Sequence, residues 1–248
     1  MRFYAFELNE PLPQLREPHA LVVLKPWIDV SNVGTLILSH LESYLNAHAL
    51  GQIARPSNFF DFTRYRPTLY SKEGRKELHV PNTYITYAKV KGDHDFLFIH
   101  LLEPHMLAEK YVDSVFYLLK NLGVKRYCLI GSMYDLVPHT RPLLVSGTGS
   151  NLKLQNELEV ANVIASDYEG PTTITYLISQ SALQIGTETL TIIVHLPQYL
   201  VMENDYRGKK RLMETLNVLY GFPLTEDDAK KAKEQQDEVS ELAEQFMQ

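Results

Sequence analysis

Three short, predominantly apolar runs, residues 20–24, 127–130 and 189–196, constrain this chain more than any other feature of its sequence. A strand with one wet face alternates apolar and polar residues. A strand that is apolar at nearly every position is buried on both faces and needs a covering layer above and below it. Pro26 stops the first run after too few residues for a helix. Between the runs lie segments of helical period. Val33, Leu36, Ile37, Leu41, Tyr44 and Leu45 recur at helical spacing up to Gly51, with Ser31 and Asn32 placed to cap the first turn. Leu107, Tyr111, Val115, Leu118 and Leu122 form a second stripe, which Gly123 terminates. Further stripes are Leu154, Leu158, Ala161 and Ile164; Ile174, Leu177, Ile178 and Ile185 before Gly186; and Leu212, Leu216, Leu219 and Tyr220 before Gly221.

Strands alternating with helices predict a three-layer α/β/α sandwich with a largely parallel central sheet. Residues 84–90 and 95–100 predict a hairpin across the polar turn 91–94. Residues 52–81, aromatic and basic without clear period, predict short strands and loops over one end of the core. A last helix is expected from Thr225, where Thr225-Glu-Asp-Asp228 has the pattern of a capping box. Residues 224–248 carry eight acids and three bases, most of the chain's net charge of −6. The expected division is therefore a body, 1–223, and an acidic C-terminal helical extension, 224–248.

The acidic balance gives no reason to expect nucleic acid or an anionic membrane as partner. No run approaches the roughly 20 apolar residues of a membrane span, and the N-terminus has no signal-peptide core, so a cytoplasmic location is expected. Cys128 is the single cysteine and sits within an apolar run, which suits a core thiol better than a nucleophile. The nine histidines form no metal-ligand spacing, and neither a metal nor a cofactor is expected. Ser146-Gly-Thr-Gly-Ser-Asn151 could cradle an anion, but the third glycine of a dinucleotide fingerprint is absent and a turn before a helix is favoured. Lys209, Lys210 and Arg211 read as a solvated helix face. Glu103 and Asp135 fall near strand ends, with His105 and His139 close in sequence, and could form an acid/base set.

The stretches Trp27-Ile-Asp-Val-Ser-Asn-Val-Gly34, Leu102-Glu-Pro104, Val137-Pro-His-Thr-Arg-Pro142, Gly170-Pro-Thr-Thr-Ile174 and His195-Leu-Pro-Gln-Tyr199 resemble, in order and spacing, the proteasome assembly chaperone two family in its bacterial and archaeal single-chain form. The resemblance covers about residues 20–221. It implies a fold similar to the nucleoside phosphorylase/hydrolase architecture, self-association often as a trimer, and a role in protein assembly or one not yet assigned. Two departures stand out. Thr173 replaces a glycine that many relatives have. The chain ends Phe246-Met247-Gln248, with Met247 where proteasome-binding archaeal relatives carry tyrosine, so docking by that route is not expected.

The first reading is a non-enzymatic, self-associating protein that binds another protein. Ala232, Val239, Leu242, Ala243 and Phe246 form an apolar stripe on the last helix that suits packing on the chain's own body or on a sister subunit better than a partner. The alternative is an enzyme or small-molecule binder, a nucleoside- or anion-binding hydrolase or ligase, using the carboxyl ends of the strands. Asn32, Gly34, Glu103, Gly131, His139, Arg141, Gly170 and Thr172 are the candidates for that crevice. Arg141 suits a bidentate anion contact or a salt bridge within its loop.

Overall fold

The structure, a computed structural model, describes the backbone of residues 1–246 and the side chains of residues 1–241. In chain order the elements are β1 (Arg2–Phe3), β2 (Phe6–Leu8), β3 (His19–Lys25), α1 (Val33–Tyr44), β4 (His48–Ile53), β5 (Thr68–Lys72), β6 (Arg75–His79), β7 (Tyr84–Ala88) and β8 (Phe96–Leu102). There follow α2 (Ala108–Asn121), β9 (Arg126–Asp135), β10 (Val145–Gly149), α3 (Leu152–Val160), β11 (Ile164–Ala165), α4 (Ile174–Gln184), β12 (Glu188–Pro197), α5 (Tyr206–Tyr220) and α6 (Glu226–Phe246).

Ten strands form one sheet in the order β1-β2-β4-β7-β8-β3-β9-β12-β10-β11. The central four, β8, β3, β9 and β12, are mutually parallel. The expectation of a largely parallel sheet holds there and in the short β10–β11 pair. On one side β7, β4, β2 and β1 continue antiparallel, and on the other β10 runs antiparallel to β12. The reason is connection length: the link from β7 to β8 is a short polar turn, too short for the helical crossover that parallel neighbours require. The fold is thus a mixed α/β sandwich. Within it α1 is shorter than its apolar period suggests. Asn46 takes a left-handed φ of 51°, which ends the helix, and residues expected to be helical or loop become β4.

Each central strand sends alternate residues to opposite faces. Ala20, Val22, Leu24, Leu97, Ile99, Tyr127 and Leu129 pack with α2 and α4. Leu21, Val23, Phe98, Cys128, Ile130, Ile192 and Val194 pack with α1, α3 and α5. Both sets are almost wholly buried, and this double burial is why residues 20–24 and 127–130 lack polar alternation; in β12 the second face keeps Thr189, Thr191 and His195, which are half-buried.

The last helix lies against α5. Its start matches the capping pattern, since Thr225 Oγ1 accepts the Asp228 N–H and donates to the Asp228 carboxylate. Ala232 and Val239 are buried, and Lys209 of α5 pairs with Asp228. Gln235 Oε1 accepts the Tyr206 N–H at 2.8 Å and the Arg207 N–H at 3.4 Å, while its Nε2 donates to the Asn204 carbonyl. Packing on the chain's own body accounts for this part of the stripe; the side chains of Leu242, Ala243 and Phe246, and all of Met247, lie outside the described residues.

Candidate functional site at the carboxyl ends of the central strands

The loops that follow β3, β8, β9 and β12 meet at one rim. The β3–α1 loop is the most constrained of them. Ser31 and Asn32 are both left-handed, with φ of 52° and 55°, so neither side chain caps α1 as the sequence suggests. Asp29 does so instead. Its Oδ1 accepts the Gly34 N–H at 2.6 Å and the Thr35 N–H at 3.2 Å, and its Oδ2 accepts the Thr35 hydroxyl. Burial raises the Asp29 pKa, an effect these hydrogen bonds oppose. Asn32 turns outward and donates to the Glu203 carbonyl at 2.9 Å, tying the loop to the segment after β12.

The glycines in the candidate set serve close approach. A Cβ on Gly131 would lie 2.5 Å from the Ile28 carbonyl oxygen, and one on Gly34 would lie 2.7 Å from Val23 Cγ2. These positions hold the β3–α1 loop against β9, and no room is left there for a ligand. Gly170 and Thr172 lie in the exposed loop before α4, where the Tyr168 hydroxyl donates to the Pro171 carbonyl.

Glu103 reaches the first turn of α4, its Oε1 accepting the Ile174 N–H at 3.4 Å. Burial raises its pKa, and Oε2 has no partner. His105 is not its acid/base partner, because His105 Nδ1 accepts the Asp61 N–H. Likewise His139 is engaged by Tyr199, whose hydroxyl accepts the His139 N–H and lies 2.9 Å from Nδ1. Arg141 has no carboxylate within salt-bridge distance among the described residues, so the expected loop-fixing bridge does not form there. Asp135 does meet an imidazole, but it is that of His195 on β12, at 2.7 Å. Sequence proximity pointed to His139; the strand register brings in a residue sixty positions on.

Other sequence motifs resolve into structure. The glycine-serine stretch forms β10, with its backbone in the ladder, followed by Asn151, which caps α3 by accepting the Leu154 N–H. In the basic run, Lys209 is buried and paired, Lys210 meets Glu214, and Arg211 donates to the carbonyls of Leu143 and Asn162.

At the opposite end, a cavity of about 870 Å3 opens at the amino ends of β3, β9 and β12. Its charges largely satisfy one another. Arg126 donates to Glu157 at 3.0 Å and to Glu188 at 2.9 Å, and Lys125 sits 3.7 Å from Glu17. His19 and His94 stack with ring centroids 3.9 Å apart, and burial lowers the His19 pKa to about 3. An internally neutralised floor offers little to a charged ligand, whereas the carboxyl rim presents free donors and exposed Trp27, Leu136, Tyr199 and Val201.

Among the described residues, no group of three or more His, Cys, Asp or Glu could hold a metal ion, and no helix is long and apolar enough to cross a membrane.

Solved structures with this architecture include a PAC2 family protein from Streptomyces avermitilis, 22% identical, with a TM-score of 0.82 over 92% of this chain and 96% of that one. A proteasome-assembly chaperone homologue from Mycobacterium tuberculosis is 21% identical, with a TM-score of 0.78 over 90% and 94%. PbaA from Pyrococcus furiosus, an archaeal homologue of proteasome-assembly chaperone, is 18% identical, with a TM-score of 0.68 over 98% and 93%. At these identities the likeness establishes the fold. No curated protein matches the chain. A sequence profile of the PAC2 family matches residues 23–243, nearly the whole sandwich and the docked part of α6, and the chain belongs to the PAC2 family.

Proposed function

We propose that this protein is a self-associating, protein-binding factor with a chaperone-like role in assembly, the role named for the mycobacterial and archaeal structural relatives. The observation that carries the reading is the β5–β6 hairpin. All ten of its strand residues are exposed, and it joins no other strand. A lone two-stranded hairpin is at best marginally stable in water. This one displays Leu69 and Leu78 directly opposite each other on one face, and Tyr70 on the other, at 56%, 64% and 56% exposure. Such a face is stabilised by being covered, and a second copy of the chain is the occupant we favour, in a trimer.

The test is light scattering on the full chain and on a Leu69→Ser/Leu78→Ser variant. The expected result is a parent mass near three times 28.5 kDa that falls toward one in the variant while far-UV dichroism is unchanged. A monomeric parent defeats self-association, and an unchanged variant mass defeats the hairpin's part in it.

A second reading has its own observation. The layering supports likeness to the nucleoside phosphorylase/hydrolase architecture, and the unpartnered Glu103 Oε2 at the carboxyl end of β8 favours a ligand at the rim. Asn32, Glu103, His139, Arg141, Gly170 and Thr172 would border it, with Gly34 and Gly131 setting the backbone behind. A thermal-shift screen with nucleosides, nucleotides and phosphate tests this; a set of compounds giving no shift refutes it.

A further inference from the structure

Asp135, Ser146 and His195 come from three adjacent strands, β9, β10 and β12, and share one face of the sheet. Met133 is the register partner of His195, and Ile193 that of Ser146. His195 is therefore one diagonal step from both Asp135 and Ser146, within reach of each. Its Nδ1 lies 2.7 Å from Asp135 Oδ2, and its Nε2 lies 2.7 Å from Ser146 Oγ.

The order of atoms is what gives the chain of contacts chemical meaning. A carboxylate accepts only, so Nδ1 carries the proton and Nε2 is left as the acceptor for the serine O–H. The same assignment lets an imidazole take a proton from a hydroxyl nucleophile while the carboxylate orients it. Asp135 is itself held in place, since its Oδ1 accepts the Leu136 N–H at 2.7 Å. The His195 hydrogen bond holds its pKa below the usual carboxylate value, so it is ionised at neutral pH. The group is solvated from its carboxylate end: the Asp135 side chain is 39% exposed and that of His195 12%, while Ser146 is 8% exposed, next to the exposed edge strand β11. A histidine serving only to fill the interior has no need of an ionised, half-solvated carboxylate behind it.

We propose that Ser146 is a nucleophile, with His195 as its general base and Asp135 as the orienting carboxylate, and that the substrate class is a carboxylic ester. Ser146 Oγ forms a bond to the ester carbonyl carbon as its proton passes to His195 Nε2. The bond from that carbon to the leaving oxygen breaks, the electron pair stays on the leaving oxygen, and His195 returns the proton to it. Water then attacks the acyl-serine, gives its proton to His195, and releases the carboxylic acid as Ser146 recovers the proton. The only co-reactant is water. This activity is independent of the assembly role and stands or falls separately from it.

The test uses the full chain with two probes, a fluorophosphonate for covalent capture and p-nitrophenyl acetate for turnover. The expected result is a single phosphonyl adduct on the peptide containing Ser146. Turnover should fall by about 100-fold or more in Ser146→Ala and His195→Gln, the usual scale for loss of positioned acid–base assistance. Asp135→Asn should also reduce turnover, since it removes the group that sets the tautomer. Ser146→Cys keeps a side chain of similar size and should be alkylated by iodoacetamide faster than Ser146→Cys/His195→Gln, which tests the base even where Ser146→Ala folds poorly. A folded parent that takes no adduct at Ser146, or variants that lower thermal stability while the parent shows no turnover, would overturn the proposal.

Discussion

Replacing Asp228 by alanine tests whether α6 is part of the folded body. The carboxylate meets the Lys209 ammonium in a place where the two side chains are 3% and 8% exposed. Removing one partner of a buried pair leaves the other charge without compensation, at a cost of about 3–5 kcal/mol. For a chain of this length each kcal/mol moves the midpoint of thermal unfolding by about 2–4 °C. The expected drop is therefore roughly 6–20 °C, measured by circular dichroism, with a matching fall in the urea midpoint. A Lys209→Met/Asp228→Leu double variant should recover most of the loss, because an apolar pair of similar size is often as stable as a buried ion pair.

The pH dependence has a definite sign. Burial alone would raise the Asp228 pKa, but the hydrogen bonds from Lys209 and Thr225 and the nearby positive charge outweigh it and the pKa is lowered. A carboxylate lowered in the folded state stabilises above its unfolded value of about 3.9 and loses that contribution as pH falls through the folded value. The gap between parent and Asp228→Ala should be constant from neutral pH down to about 5 and close only below about 4. An Asp228→Ala protein within about 1 kcal/mol of the parent would match a solvent-exposed pair, and the docking of α6 on α5 would be refuted.

Two further outcomes follow from buried groups. His19, lowered to about 3 by burial and by its neighbour His94, is neutral in the folded chain and protonates when unfolded. Its contribution is present above about pH 6.5 and lost as pH falls toward 3, at up to about 1.4 kcal/mol per pH unit. His19→Phe should flatten that part of the stability-against-pH curve, and an unchanged slope would contradict the burial. Gly131→Ala places a Cβ against the Ile28 carbonyl and should cost about 1–3 kcal/mol in urea unfolding; full stability would show that the β3–α1 loop does not rest on β9.

What the sequence discloses here is what local pattern can carry. The double-sided burial of β3 shows in its unbroken apolar run, residues 20–24, and Gly123, Gly186 and Gly221 end their helices with positive φ, as expected. Strand direction is legible only where a turn announces it: the polar turn 91–94 shows that β7 turns back on β8, whereas nothing local shows that β4 pairs antiparallel with β2 and β7 or that β10 runs against β12. The sequence of β4 hides behind the stripe of α1, and its partners β2 and β7 are distant in the chain. The same limit governs the site. Loops at one rim could be placed by strand order, and the roles of Gly34 and Gly131 are matters of tertiary contact. The pairing of Asp135 with His195 depends on the register of β9 against β12, which no spacing encodes. Asp29 could have been found: an aspartate just ahead of a helix is a capping signal, obscured by the two left-handed residues between them.

The amide of Gln235 sits where the start of α5 would otherwise welcome a negative group, its oxygen shared by two backbone donors. Lifting α6 away would strand those donors, so a competitor gains little by touching only the outer side of the helix. It must bring its own acceptor to the vacated spot. Handover of α6 would then proceed as a swap of one guest for another, favouring partners that present a carboxylate or amide at the right height and leaving greasy surfaces without one at a disadvantage.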